Sequence, residues 1–196
     1  MTNHKLILAS SSSARRQLLD RLGIPYTAIS PDINETPLPF EDVETLVFRL
    51  AMEKAQKIAA ACPDAIVIGA DQVGTLDKTI LCKPMNHATA VQQLRQVSHR
   101  VVRFYTGLCV LDASSGSIQG CVETYDVYFR ELSDTVIENY LRKENALHCA
   151  GSLRVEGLGM ALIHKLSGED YTALIGLPLI KLIEMLGKVS VDVLEL

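Results

Sequence analysis

The sequence contains no tryptophan, and aromatic residues make up only 5% of its 196 residues. It has no apolar run as long as a membrane span, because charged or polar residues interrupt every hydrophobic stretch. It also lacks a basic excess. The formal net charge of −4 argues against nonspecific binding to a nucleic-acid backbone, which needs a basic surface. We therefore expect neither a membrane nor a nucleic acid as a partner.

Paired cysteines are missing as well. The five cysteines are scattered singly, with an odd count and no CxxC pair, which favours reduced thiols in a reducing compartment. The first 13 residues hold one lysine before a very short apolar run, with no adequate hydrophobic region for a secretory signal. We expect a cytoplasmic protein.

The chain is rich in apolar residues for a soluble protein, at 48%. Its length fits one domain, or two closely packed lobes, and is sufficient to bury a substantial core without a metal or disulfides. The patterning alternates between strand and helix types. Strands are predicted at residues 5–9, 26–30, 65–68, 100–111, 118–129 and at the end of 149–166, and helices at about 14–22, 43–61, 86–97, 133–145 and 178–186.

The stretch after the apolar run at residues 65–68 changes from buried side chains to groups able to do chemistry. A continuous apolar run of this length is typical of a strand covered on both faces. Asp71 and Gln72 are then expected at the carboxyl end of the strand, the edge at which open α/β sheets bind ligands. Further on, Lys83 precedes Pro84, which favours extended structure. The sequence predicts a carboxylate and an ammonium on one rim.

Four consecutive serines separate the first predicted strand from the first predicted helix. A serine there can cap the helix, and free backbone N–H groups at a helix start bind phosphate well. Arg15 lies in the first turn, where a cation opposes the macrodipole unless an anion compensates it. An arginine that extends from the helix edge into solvent is the alternative. With Ser10 and Ser12 beside it, we favour a phosphate site.

Two other charged positions have common structural explanations. Lys54 lies on the apolar stripe of the second helix, where a lysine more often reaches along the surface to solvent than into a cleft. Asp32 and Glu35 belong to a proline-rich loop, and on that stretch alone we expect them to be solvated. In the fourth helix Val136, Ile137, Tyr140 and Leu141 are predicted to face inward.

Several known catalytic and nucleotide-binding motifs are incomplete or absent in this sequence. Residues 69–74 have the glycine spacing of a phosphate loop but lack the following Lys and Ser/Thr, and residues 157–162 lack the third glycine of a dinucleotide fingerprint. There is no HExxH, paired Cys/His set or GxSxG, so zinc hydrolysis and serine esterase chemistry lack support. The cations, hydroxyls and carboxylates that remain suit magnesium-assisted hydrolysis of a phosphoanhydride. They are Ser10, Ser12, Arg15, Glu35, Lys54, Asp71 and Lys83.

Eight blocks then occur in a recognisable order: LILASSSSARRQLLDRLGIPY, PDINETP, RLAMEKAQ, VIGADQV, CKP, FYTGL, HCAGSLRVEGLG and IGLPLIKL. With them the chain resembles the Maf family of nucleotide pyrophosphatases almost end to end. The resemblance implies one domain over residues 1–196, with a long curved mixed sheet flanked by helices and two lobes around a central cleft. It further implies a hydrolase that needs a divalent cation, Mg²⁺ or Mn²⁺, releases pyrophosphate from nucleoside triphosphates and is often a homodimer.

The resemblance also implies residue roles. Asp71 corresponds to the general base and Glu35 to a metal ligand. The phosphate contacts fall on Ser10, Ser12, Arg15, Lys54 and Lys83.

Three positions separate the family's dTTP/UTP group from the group similar to 7-methyl-GTP pyrophosphatase. Gln72 and Glu156 match the second group, and an anionic glutamate can accept hydrogen bonds from guanine while compensating the charge of its N7-methylated form. Ala14 departs from that group, which tends to carry a large aromatic there, so selectivity is looser or another side chain stacks on the base.

The lead hypothesis is hydrolysis of 7-methyl-GTP, or a similar modified nucleotide, to the monophosphate and pyrophosphate. A broader pyrophosphatase for noncanonical purines such as ITP, or for dTTP and UTP, keeps the chemistry and changes the base. A nucleotide-responsive binding protein linked to cell division is the hypothesis from another class. Such a module needs no water-activating carboxylate beside its phosphate groups.

Overall fold

The computed structural model describes residues 5–195 of the chain, so the first four residues of the segment in which we expected no secretory signal lie outside it. Its strands are β1 (Lys5–Ala9), β2 (Thr27–Ile29), β3 (Ala65–Leu76), β4 (Thr79–Leu81), β5 (Val101–Asp112), β6 (Ser117–Phe129) and β7 (Ile163–Gly168). Its α-helices are α1 (Ser13–Asp20), α2 (Val43–Ala59), α3 (His87–Val97), α4 (Asp134–Lys143), α5 (Tyr171–Ile175) and α6 (Leu179–Lys188). Short 3-10 helices form at Ala150–Ser152 and Leu158–Leu162.

The strands form one mixed sheet in the order β2-β1-β3-β5-β6-β7, with β4 paired to β3. β1 runs parallel to β2 and to β3, whereas β4 is antiparallel to β3 and β7 is antiparallel to β6. The predicted α/β class and mixed sheet flanked by helices are therefore confirmed. No helix within residues 5–195 combines the length and the apolar character that crossing a membrane requires.

The chain divides into two compact units. The first contains the described residues up to Asp71, Thr106–Glu123 and the described residues from Asp170 onward, and the second contains Gln72–Tyr105 and Thr124–Glu169. Each unit is assembled from segments far apart in sequence. A single domain over residues 1–196 stays a prediction.

The core of the first unit lies on both faces of β1 and β3, because successive strand side chains point to opposite faces. Leu8 and Ile68 belong to an apolar cluster with residues of α1 and α6, and Ile7 and Val67 belong to another with residues of α2. Side chains on both faces are buried. The prediction that residues 65–68 form a strand covered on both faces is confirmed.

Helix starts follow the sequence closely, because a side-chain oxygen satisfies a free N–H group of the first turn. Ser12, Asp42 and Ser133 cap α1, α2 and α4 in this way. Inside α4 the prediction is wrong for Val136, which is 42% exposed, because the buried face runs through Ile137 and Tyr140 instead. The sequence reading missed α5 and both 3-10 helices, which are too short for a helical period to be detected.

β3 is longer than predicted. It continues to Leu76 because β4 folds back on it, pairing Gly74 with Leu81. Asp71 therefore lies within the strand, and its predicted place at the strand's end is wrong. The pairing of β1 with β3 nevertheless stops at Ala9 and Gly69, so Asp71 lies two residues beyond the end of the parallel pair.

Two glycines allow α2 to lie very close to the sheet. A Cβ atom at Gly69 of β3 would lie 2.1 Å from the carbonyl oxygen of Ala51, and one at Gly107 of β5 would lie 2.2 Å from that of Val47. No side chain larger than hydrogen fits at such distances. The close approach brings the next turn of α2, which carries Lys54, onto β3.

Candidate active site

A buried lysine joins two carboxylates in the first unit. The Nζ atom of Lys54 lies 2.6 Å from Oδ1 of Asp71 and 2.6 Å from Oε1 of Glu35. Lys54 is 5% exposed and Asp71 7% exposed. The common interpretation of Lys54 as a lysine that reaches to solvent is therefore wrong, since its ammonium ends between two anions.

Glu35 is the exposed member of this set, with 54% of its side chain accessible. Its carboxylate is nevertheless paired with Lys54, so simple solvation, which the loop sequence favours, is wrong for Glu35. Asp32 of the same loop is exposed. The structure thus separates two loop carboxylates that the sequence alone did not distinguish.

Arg15 approaches the same group of charges from α1. Its Nε atom donates to the carbonyl of Gly176 at 2.8 Å, and Nη1 lies 3.5 Å from Oγ of Ser10. Burial lowers the pKa of the Arg15 guanidinium, while the negative charges of Asp71 and Glu35 raise it. An arginine stays protonated at neutral pH in either case. The negative charges of Asp71 and Glu35 thus offset part of the unfavourable place of Arg15 in the first turn.

The serines after β1 are ordered around this helix start. Oγ of Ser12 accepts from the backbone N–H of Arg15, and the N–H of Ser12 donates to Oγ of Ser10 at 3.2 Å. Ser10 is buried and Ser12 is half-buried. Together they place hydroxyls and an arginine at the N-terminus of α1, where the helix dipole favours an anionic ligand. Ala14 is half-buried in the first turn of the same helix.

Arg49 of α2 was missed as a candidate residue. Its Nε and Nη2 atoms donate to the two carboxylate oxygens of Glu41 at 2.6 and 2.8 Å, and Nη2 also donates to the carbonyl of Thr36 at 3.3 Å. The hydrogen bond from Arg49 lowers the pKa of the Glu41 carboxyl to about 2. Because Thr36 follows Glu35, Arg49 fixes the loop on which Glu35 approaches Lys54. Its only signal in the sequence is its place at the head of the block RLAMEKAQ.

The remaining predicted residues belong to the second unit. Gln72 follows Asp71 on β3 and is half-buried. Lys83 is exposed after β4, next to Cys82, whose carbonyl accepts from Nε2 of Gln93 at 2.8 Å. Glu156 lies between the two 3-10 helices, with Oε1 3.5 Å from Nε of Arg154. Seven of the ten predicted site residues thus lie in the first unit, and the other three, Gln72, Lys83 and Glu156, lie in the second.

The first unit also offers ligands for a divalent cation. Within residues 5–195 there is no group of three or more His, Cys, Asp or Glu side chains that could enclose a metal ion. Glu35 and Asp71 nevertheless converge on one ammonium. Mg²⁺ is usually held by one or two carboxylates together with substrate phosphates rather than by a cage of protein ligands. The two carboxylates fit that requirement.

A family model and a curated relative identify one family for this chain. The family model described as Maf-like protein matches residues 5–189. A curated relative from Nitrosococcus oceani, 7-methyl-GTP pyrophosphatase, is 51% identical over 189 residues, which cover 96% of this chain and 95% of the relative. Among solved structures, the Ham1 protein of Staphylococcus aureus matches with a TM-score of 0.43 and 14% identity, over 65% of this chain and 72% of that chain.

Proposed function

We propose, because this chain belongs to the Maf family, that it is a nucleoside triphosphate pyrophosphatase that hydrolyses 7-methyl-GTP to 7-methyl-GMP and pyrophosphate. The substrate follows from its 51% identity to a 7-methyl-GTP pyrophosphatase. The observation that carries the chemistry is the buried ammonium of Lys54 between the carboxylates of Asp71 and Glu35. Few environments other than a site for a charged ligand explain so many charges at the edge of a parallel strand pair.

Asp71 acts as the general base in this proposal. It takes a proton from a water molecule whose oxygen attacks the α-phosphorus, and the bond from that phosphorus to the oxygen bridging to the β-phosphorus breaks. Pyrophosphate leaves with the electrons of that bond. Lys54 contacts Asp71 through Oδ1, and a carboxylate keeps further lone pairs with which to accept from water.

The cations and hydroxyls bind the triphosphate. Lys54, Arg15 and Lys83 offset its negative charge, which grows on the leaving pyrophosphate as the bond breaks. Ser10, Ser12 and the N–H groups at the start of α1 contact phosphate oxygens. Arg15 is prepared for this role because the carbonyl of Gly176 already orients its guanidinium.

Glu35 and Asp71 would hold a divalent cation, Mg²⁺ or Mn²⁺, together with the substrate phosphates. When bound there, the ion would supply positive charge that polarises the phosphoryl group. Glu35 suits this task because it combines an exposed carboxylate with a loop fixed by Arg49.

The base is selected by the second unit's residues. Glu156 accepts from N1–H and the exocyclic amine of guanine, and its charge compensates the positive charge of the 7-methylated ring. Gln72, beside Asp71, contributes to the same choice. Ala14 leaves room where a stacking aromatic would otherwise be, so discrimination against other purines such as ITP is weaker than an aromatic there would give.

The first prediction concerns activity. In a panel of 7-methyl-GTP, GTP, ITP, dTTP and UTP with Mg²⁺, pyrophosphate release is expected to have its highest kcat/KM with 7-methyl-GTP. Asp71→Asn is expected to lower kcat by at least about 100-fold, the scale of a lost general base, with urea unfolding as the check on folding. Equal rates on dTTP and 7-methyl-GTP would contradict the substrate, and an active Asp71→Asn protein would contradict the mechanism.

The same proposal includes location and assembly. All five cysteines are free thiols, which suits a reducing compartment, and we place the enzyme in the cytoplasm. The family resemblance favours a homodimer, which sedimentation analysis of the purified chain tests directly.

A further inference from the structure

The segment that carries Glu156 is hydrogen-bonded to a side chain of α4 and to the side chain of the residue that follows α4. The Tyr140 hydroxyl donates to the carbonyl of Ser152 at 3.2 Å and accepts from the N–H of Arg154 at 3.0 Å. Farther along, Oε2 of Glu144 accepts from the N–H of Leu158 at 2.8 Å. Glu156 therefore lies on a short stretch of backbone held on both sides.

The carboxylate of Glu144 is largely shielded from solvent and accepts hydrogen bonds from the segment that carries Glu156. Its side chain is 9% exposed, and Oε1 accepts from Nη1 of Arg154 at 2.7 Å. The hydrogen bond from the N–H of Leu158 is the main cause that lowers the pKa of the Glu144 carboxyl, and Arg154 lowers it further. A Cβ atom at Gly157 would lie 2.2 Å from Oε2 of Glu144, so the residue next to Glu156 must be glycine for this carboxylate to reach the backbone.

Arg154 connects this support to Glu156 itself. The Nη1 atom of its guanidinium contacts the carboxylate of Glu144, and the Nε atom lies 3.5 Å from Oε1 of Glu156. The planar guanidinium is a rigid fork, so fixing one edge on a buried carboxylate fixes the direction of the other. The carboxylate of Glu156 can accept several hydrogen bonds, so the contact with Arg154 leaves lone pairs for a base edge.

From this geometry we propose that Arg154, anchored by Glu144, is a positioning residue for Glu156 and thereby sets the preference for the 7-methylguanine base. This inference rests on the proposed function, in which Glu156 reads the base. Stability gives little reason for the contact between Arg154 and Glu156: their side chains are 40% and 28% exposed, and ion pairs this open to solvent contribute little to folding. The orientation of the Glu156 carboxylate depends on the contact with Arg154 more strongly than folding does. A misplaced carboxylate would lose both of its hydrogen bonds to the base.

The test compares kcat/KM for 7-methyl-GTP and for dTTP in Arg154→Met, Glu156→Gln and the double variant. Arg154→Met is expected to lower the ratio of the two values by about tenfold, the scale of one hydrogen bond to a charged group. Because both residues act through one contact, the double variant is expected to be no less selective than Glu156→Gln alone. Arg154→Lys, which keeps the charge without the fork, is expected to fall between the wild type and Arg154→Met.

Arg95→Met is the matched control, since Arg95 forms an exposed ion pair with Asp134 in the same unit and is expected to leave the ratio unchanged. An unchanged ratio in Arg154→Met, or equal losses on both substrates, would overturn the positioning role. Full additivity in the double variant would do the same. An unchanged ratio in Glu156→Gln would instead overturn the proposed reading of the base, which separates failure of the inference from failure of the proposed function.

Discussion

Single charged residues in this protein depend on partners that are distant along the chain. Lys54 is a strong example, since its ammonium is removed from water and placed between two carboxylates. Burying an isolated ammonium costs several kcal/mol, and the cost is offset only by close partners of opposite charge. Here one partner is buried and the other exposed, so the triad is open to a ligand on the side of Glu35.

Arg49 and Glu41 form another ion pair, which holds the proline-rich loop against α2. Two parallel hydrogen bonds join them, and Oε2 of Glu41 also accepts from the N–H of Leu38 at 2.9 Å. The proline-rich loop is thus closed onto α2 by a bidentate contact, which adds direction as well as attraction. The contact between Arg49 and Glu41 thereby helps to fix the position of Glu35, which lies on the same loop.

The pH dependence of stability follows from that pair. The pKa of Glu41 is about 2 in the folded protein against an ordinary value of 4.5, so its contribution is complete above pH 4.5 and is lost as the pH falls toward 2. Glu41→Gln is therefore expected to reduce the free energy of unfolding at pH 7, and the difference from wild type is expected to shrink below pH 4.5. Urea titrations at several pH values measure it. A difference that stays constant across this range would contradict the assignment.

At the scale of elements, the distance between α2 and the sheet decides whether the charged residues meet. Lys54 reaches Asp71 because the helix backbone lies against Gly69 and Gly107, where any side chain would overlap a carbonyl oxygen. The obstacle is backbone and cannot rotate away. The close contact is thus a requirement of the site as well as of the core.

Gly69→Ala is expected to force α2 outward, to lower the free energy of unfolding by about 1–3 kcal/mol as overpacked core variants do, and to reduce kcat. Gly187→Ala is the matched control: Gly187 lies in α6 with nothing within 4 Å of an added Cβ atom. In a helix that change is neutral or stabilising, by up to about 1 kcal/mol. Thermal unfolding and pyrophosphate release measure both variants, and wild-type behaviour of Gly69→Ala would contradict the close approach.

At the scale of the whole molecule, the two units are interleaved along the chain. β3, β5 and β6 each carry residues of both units, so neither unit is a continuous piece that could be cut out of the sequence. Unfolding of either unit would disrupt β3, β5 and β6, and the strand pairs that these strands form in the other unit would then be weakened as well. This connectivity favours the single domain predicted over residues 1–196.

Pulsed thiol labelling along a urea series tests that prediction. Cys109 belongs to the first unit and Cys149 to the second, and burial raises the pKa of both thiols to about 11, which slows their reaction in the folded protein. The two cysteines are expected to become reactive at the same urea concentration, as mass spectrometry of the labelled peptides reports. Separate midpoints would show two domains that unfold independently.

The α/β class, most element positions and the helix starts could be predicted from the amino-acid sequence alone. These features depend on local causes: the period of apolar side chains and hydrogen bonds from Ser12, Asp42 and Ser133 to backbone groups three residues away. The family resemblance added the candidate residues themselves, whose catalytic and binding roles stay predictions.

The contacts of those side chains could not be predicted, because they form between segments that only the folded chain brings together. Lys54 and Asp71 are 17 residues apart and Arg15 and Gly176 are 161 apart, so no local pattern could distinguish a buried ion pair from a solvated lysine, or an oriented arginine from a mobile one. The extension of β3 past Asp71 likewise depends on β4 folding back on it. Contacts between segments distant in sequence are set by packing, and packing is a property of the whole fold.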